Sequence, residues 1–376
     1  MKKLLVSLLI IFMVVGCSSN DINNKIMGSN KKEIKRYKNN LFSDYYDSAY
    51  KKLEELSIDE KIGQMLLVRM DDNVADSIIN DYHTSGFVMF SRDFKNKTKD
   101  EVKSEIERYQ SESKIPLIFA VDEEGGSVVR ISSNPNLRDE PFKSPQDIYN
   151  ESGMEGIISD TKEKSELLQS LGINVNLAPV ADVSTNPNDF IYDRSFAKDA
   201  NETSNYVKNV VKTYNELGLG SCLKHFPGYG NNVDTHTGIS IDSRDYNSFV
   251  EIDFLPFKAG IDAKVPSILV SHNIVESMDS VPASLSLKVH RILRKELGFT
   301  GVIMTDDLAM DAISKYVDNP NVEAVNAGNN LLITTDYKTS FNDIKEAYNN
   351  KKISDTTINN AVVKVLAWKY SLGLLK

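Results

Sequence analysis

Eight short apolar runs punctuate the chain, at 65–69, 86–90, 116–122, 175–182, 221–225, 267–272, 301–306 and 330–336. Each is continuously hydrophobic rather than alternating, the pattern of a strand buried on both faces in a parallel sheet. Between most of them apolar residues recur at helical spacing, over 100–113, 157–172, 202–218, 286–297 and 340–349. A helix over 355–372 closes the chain, with Val362, Val363, Leu366 and Ala367 on one side. Ser57 followed by Glu60 predicts a capping box at an earlier helix start. Eight strand–helix units predict an α/β fold, a (β/α)8 TIM-type barrel forming a single catalytic domain over 48–376. A doubly wound open sheet is the alternative.

The N-terminal part breaks this rhythm. Lys2 and Lys3 precede an apolar segment over 4–15, too short to span a bilayer comfortably. It runs into Val14-Val15-Gly16-Cys17 and then Ser18-Ser19-Asn20, which resembles a bacterial lipobox. The expectation is a signal peptide over 1–16, lipidation of Cys17, and a flexible tether over 17–47 rich in Asn, Lys and Ser. The protein would then sit on the cell membrane through its lipid, facing outside the cytoplasm. Lys31, Lys32, Lys35, Arg36 and Lys38 could add a weak attraction to anionic lipid, but a solvated spacer is the preferred reading.

Composition narrows the partners. A net charge of −9 with no long basic block argues against nucleic acid. Two cysteines, Cys17 and Cys222, exclude a disulfide framework, and Cys222 within an apolar run reads as a small core residue. No phosphate-binding or dinucleotide-binding glycine motif is present, so no cofactor is expected. There is no His-x-His strand end and no His-Glu-x-x-His helix, and no metal is expected. His225, His236, His272 and Asp306 keep metal-assisted hydrolysis as a minor alternative. The expectation is a monomer that binds something small.

In a β/α barrel, chemistry collects at the C-terminal strand ends. The apolar runs end in Asp122, Asp182, Lys224-His225, His272, Asp306 and Asp336. Asp182, Asp307 and Asp336 read as N-caps of the following helices. Asp306 suits a nucleophile at an acetal carbon, with Asp307 facing the opposite way to cap a helix at Leu308. Asp234 and His236, two residues apart on a loop, make a proton-transfer pair. Lys224 and His225 suit hydroxyl binding, Arg130 and Arg194 suit ligand clamps, and Gly125-Gly126 permits close backbone approach. For Arg194 a structural salt bridge is the competing reading.

These residues sit in strings that resemble the β-N-acetylglucosaminidases of glycoside hydrolase family 3: EKIGQML, DEEGGSVVR, NVNLAPVADV, RSF, KHFPGYG, DTH, PASLS and GVIMTDDLAM, in family order. The resemblance implies a retaining glycosidase in which Asp306 is the nucleophile and Asp234-His236 the general acid/base. It implies that Asp122, Arg130, Arg194, Lys224 and His225 hold the sugar in the −1 subsite. The expected activity is release of terminal non-reducing β-GlcNAc from peptidoglycan fragments or related glycans. A β-GlcNAc phosphorylase and a non-catalytic glycan-binding lipoprotein remain as alternatives. Tyr229 stands where the family usually has His, and Ser127 where it often has Arg. Altered loop packing is expected from the first and a lost ion pair from the second.

Overall fold

The computed structural model describes residues 40–232, 240–309, 313 and 317–376. Its strands are β1 (Leu66–Arg69), β2 (Gly86–Met89), β3 (Ile118–Val121), β4 (Val175–Asn176), β5 (Gly220–Phe226), β6 (Ile241–Asp242), β7 (Ser267–Val270), β8 (Ile274–Val275), β9 (Val302–Thr305) and β10 (Leu332–Thr334). Each of the eight apolar runs supplies one strand of a single parallel sheet, in the order β10-β1-β2-β3-β4-β5-β7-β9. A parallel bridge between Met304 and Leu331 brings β9 back to the β10 edge and closes the sheet into a barrel. Every residue of β2, β3, β5, β7, β9 and β10 is buried, as expected for strands covered by helices outside and packed side chains inside.

Local chemistry starts and stops the helices. At Ile58–Gly63 the Ser57 side chain accepts from Glu60 N, and Glu60 returns a bond to Ser57 N, completing the expected capping box. Asp199 caps Ala200–Leu217, and Gly218 ends it at φ +74°, a left-handed conformation that glycine adopts without steric cost. The C-terminal helix Asp355–Ser371 buries Val362, Val363, Leu366 and Ala367, but also Val365, Trp368 and Lys369. It is covered on more than one side because the helices Tyr46–Glu54 and Ile58–Gly63 also pack against it.

That packing moves the expected boundary at Ser48 toward the N-terminus. Phe42 and Tyr46 are buried, and Leu41 N donates to Thr300 Oγ1 at 3.0 Å. Of the three aromatic residues in 40–47, Phe42 and Tyr46 complete the core and Tyr45 is exposed.

The run at 175–182 forms a strand over only two residues. Beyond it the chain stays extended beside β5, bridged once between Val180 and Lys224. Pro179 has no N–H to offer a ladder. The β6–β8 pair is a separate two-stranded parallel sheet. It fixes the chain that follows residue 239.

Candidate active site

At the C-terminal ends of the strands lies a cavity of about 460 Å³. Its wall takes Arg69 from β1, Phe90 beyond β2, Asp122 and Arg130 beyond β3, Arg194 from the loop after β4, Lys224 and His225 from β5, and Asp306 and Asp307 beyond β9. Asp122, Arg130, Arg194, Lys224, His225 and Asp306, chosen from sequence as binding or reacting groups, therefore meet at one cavity. Asp234 and His236 lie outside the described residues, as does Cys17.

Lys224 and His225 are neighbours on one strand, yet both face this cavity. The register of β5 against β7 shifts between Leu223 and Phe226, and the two side chains emerge within that irregularity. Lys224 Nζ contacts Asp122 Oδ1 at 2.7 Å and Glu124 Oε1 at 2.6 Å. Arg194 grips the same Glu124 through Nε–Oε2 and Nη2–Oε1 contacts of 3.0 and 2.7 Å. Burial opposes the charge on Glu124, but the Lys224 and Arg194 cations outweigh it and hold the carboxyl well below the usual carboxylate range. Burial likewise opposes the Lys224 ammonium, and Asp122 and Glu124 raise its pKa above the ordinary value. The result is a fixed set of charges with little net excess, suited to exchanging hydrogen bonds with neutral hydroxyls.

Asp182 is not a helix cap. It is buried, and its Oδ2 accepts from His225 N at 3.0 Å and faces His225 Nδ1 at 2.8 Å, while Oδ1 accepts from Tyr229 N at 2.8 Å. Arg194 Nη2 lies 3.3 Å from His225 Nε2. This geometry fits a tautomer that donates from Nδ1 to Asp182 and accepts at Nε2, so both ring nitrogens are engaged inside the protein. The Tyr229 ring is buried edge-on to His225 with centroids 5.0 Å apart, so it packs the loop against the imidazole.

Asp306 sits just past β9, with its N donating to Val270 O at 3.2 Å and the Asp307 N–H donating to its Oδ1 at 2.8 Å. Asp307 was expected to cap a helix at Leu308. Its Oδ1 accepts from Ala309 N and Thr335 N, and its Oδ2 from Thr335 Oγ1, so it ties the β9 end to the β10 end. Asp336 does cap Tyr337–Asn349, accepting from Thr339 N.

Sequence reasoning missed several groups. Glu123 is fully buried and accepts from Arg130 N and Ile131 N at 2.8 and 2.7 Å, shaping the loop that presents Arg130. Glu124 organises the two cations. The signal was three consecutive acids, Asp122-Glu123-Glu124, directly after a buried strand, which demands partners for each. Gly125 at φ +99° follows; a Cβ there would meet Lys143 O at 2.2 Å. Ser127 is exposed on that loop. Arg69 was also overlooked, although the first apolar run ends in it much as the others end in charged residues.

The chain flanking 233–239 is firmly held. Asn232 Nδ2 donates to Tyr229 O at 2.8 Å and to Asp242 Oδ2 at 2.5 Å. Arg244 pairs with Asp242 at 2.7 Å and Asp253 at 2.8 Å, and donates to Gly228 O at 3.3 Å.

His272 is buried against Ser284 Oγ at 2.7 Å and Asp307 O at 3.1 Å and serves the frame of the site. Among the described residues no group of three or more His, Cys, Asp or Glu side chains is placed to hold a metal ion. Cys222 is buried in the barrel, and burial pushes its thiol up to about 12, as suits a core residue.

Residues 57–368 match the glycosyl hydrolase family 3 N-terminal domain. Beta-hexosaminidase A of Pseudoalteromonas piscicida is 32% identical over 282 residues, covering 68% of this chain and 46% of that protein. The beta-hexosaminidase of Xanthomonas campestris pv. campestris (strain B100) is 31% identical over 235 residues, covering 61% of this chain and 69% of that protein. Among solved structures, a glycoside hydrolase family 3 beta-N-acetylglucosaminidase from Paenibacillus sp. str. FPU-7 shares the fold at a TM-score of 0.80 and 26% identity, over 85% of this chain and 63% of that chain. This chain thus spans about half the length of the Pseudoalteromonas protein and under two thirds of the Paenibacillus chain.

Proposed function

The chain belongs to glycosyl hydrolase family 3, and on that premise we propose that it is a retaining exo-β-N-acetylglucosaminidase. Its substrates are terminal non-reducing β-GlcNAc residues on peptidoglycan fragments or related glycans. The observation that carries this reading is the position of Asp306, at the C-terminal end of a barrel strand and on the wall shared by Asp122, Arg194, Lys224 and His225.

The chemistry runs in two steps. Asp306 attacks the anomeric carbon as the bond to the leaving oxygen breaks, and His236, paired with Asp234, gives that oxygen a proton. Water then attacks the glycosyl–Asp306 ester, His236 takes the water proton, and Asp306 leaves as a carboxylate. An imidazole with an ordinary pKa near ~6.5 suits both proton transfers around neutral pH. Lys224, held charged by Asp122 and Glu124, donates to a sugar hydroxyl, and Asp122 accepts from one. The Asp307 N–H on Asp306 Oδ1 stabilises the carboxylate as a leaving group.

The string around Cys17 supports a second part of the reading, attachment to the outer face of the cell membrane through a lipid on that cysteine. No described helix is long and apolar enough to cross a membrane.

The test is a chromogenic panel of aryl β-GlcNAc, β-GalNAc and β-glucose with wild-type protein and Asp306→Asn. Preference for β-GlcNAc, abolished in the variant, is expected. Wild-type rates in Asp306→Asn would eliminate the mechanism.

A further inference from the structure

Phe190 stands exposed in the loop that joins β4 to the Ala200–Leu217 helix, while both of its neighbours in the chain are fixed. The Asp189 carboxylate accepts from Ser184 Oγ at 2.7 Å and from Asn186 Nδ2 at 3.2 Å, and its carbonyl accepts from Tyr192 N at 3.1 Å. Ile191 is fully buried, clustered with Val180 and Tyr229. Arg194 N donates to Ile191 O at 3.1 Å, so one rigid stretch carries both the cavity residue Arg194 and Phe190. The loop has little freedom, yet it leaves Phe190 38% exposed.

A single exposed apolar side chain needs no explanation by itself. Phe190 is set apart by what it rests on. Its ring meets the Tyr229 ring at 62°, with centroids 5.8 Å apart. Tyr229 in turn meets His225 at 85° and 5.0 Å, and His225 lines the cavity. Two ring contacts thus separate Phe190 from the cavity wall, and it meets a substrate outside the cavity, on the sugars that follow the scissile bond. The chain also runs from Tyr229 through Asn232, which donates to Tyr229 O at 2.8 Å, toward Asp234 and His236. On the glycosidase reading His236 serves the leaving oxygen, so this is the side on which the leaving saccharide emerges.

The ring C–H bonds of a β-linked GlcNAc stand axial, so each face of the pyranose is apolar while its polar substituents point outward. Laying such a face on an exposed aromatic ring removes apolar surface of both from water. A ring already held by its neighbours loses little freedom in doing so. We propose that Phe190 is a stacking platform for the saccharide on the leaving side of the scissile bond. The inference rests on the glycosidase reading above and extends its substrate class to β-linked oligosaccharides, recognised by the face of a pyranose and not by its charge.

The experiment compares kcat/KM for the β-1,4-linked GlcNAc trisaccharide and for methyl β-GlcNAc, whose leaving group has no ring to stack, with wild type, Phe190→Ala and Phe190→Trp. The readout is the ratio of the two values. Phe190→Ala lowers the ratio by about tenfold, the size of one aromatic stacking contact, and Phe190→Trp keeps it. An unchanged ratio in Phe190→Ala overturns the platform, even if both rates fall together, because Phe190 would then only support Tyr229. A ratio as low in Phe190→Trp as in Phe190→Ala also counts against it, since another aromatic face should serve. If wild type turns over neither substrate, the glycosidase reading fails by itself. The ratio of calorimetric affinities for the trisaccharide and for free GlcNAc, in wild type and Phe190→Ala, then decides the platform independently.

Discussion

Glu124 and Arg194 are paired side-on across the mouth of the barrel, by contacts of 3.0 and 2.7 Å between groups seventy residues apart. The carboxylate is almost wholly buried and also carries Lys224. Neutralising it leaves two buried cations sharing Asp122. Glu124→Gln should therefore destabilise the fold by about 3–5 kcal/mol, measured by urea unfolding at pH 7. A change within ~0.5 kcal/mol would mean that solvent reaches the pair.

The same pair predicts a pH dependence with a definite sign. Burial raises the Glu124 pKa, but Lys224 and Arg194 bring it, in the folded state, well below its unfolded value. The stabilisation is thus complete above an unfolded-state pKa of about 4.3 and is lost as pH falls below it toward the folded value. The stability gap between wild type and Glu124→Gln should narrow on going from neutral pH to below ~4. A gap that widens on acidification would show the sign to be wrong.

Lys224 offers the cleanest test of sugar binding. Its ammonium is held between Asp122 and Glu124 at 2.7 and 2.6 Å and borders the cavity. Lys224→Met should lower kcat/KM for an aryl β-GlcNAc by about a hundredfold, the equivalent of ~3 kcal/mol. Retained kcat/KM would place the sugar elsewhere.

The strand ends were legible before the structure, and the network linking them was not. Continuous apolar runs announce buried parallel strands, so Asp122, Lys224 and Asp306 could each be assigned to one rim. Nothing in the spacing says that Glu124 joins Arg194 to Lys224, or that Asp182 holds His225 rather than a helix start. Those choices depend on which loop passes over which strand. The fold's beginning escaped for a different reason: the apolar stretch around Phe42 and Tyr46 is too short to show a period, and only their burial reveals them as core.

Membrane attachment is tested through Cys17. Cys17→Ala should move the protein from the membrane fraction to the soluble fraction of cells expressing the full chain. A fraction of the protein released by salt alone would show that the basic residues at 31–38 contribute to the attachment. Unchanged fractionation of Cys17→Ala would refute the lipid anchor.

The most direct measurement is peptide mapping by mass spectrometry after inactivation with a fluorinated N-acetylglucosaminyl fluoride, which forms the glycosyl-enzyme and slows its hydrolysis. One sugar adduct per chain is expected, on the carboxylate of Asp306. An adduct on any other side chain would contradict the assignment of the reacting carboxylate, and so would steady turnover of the reagent with no adduct.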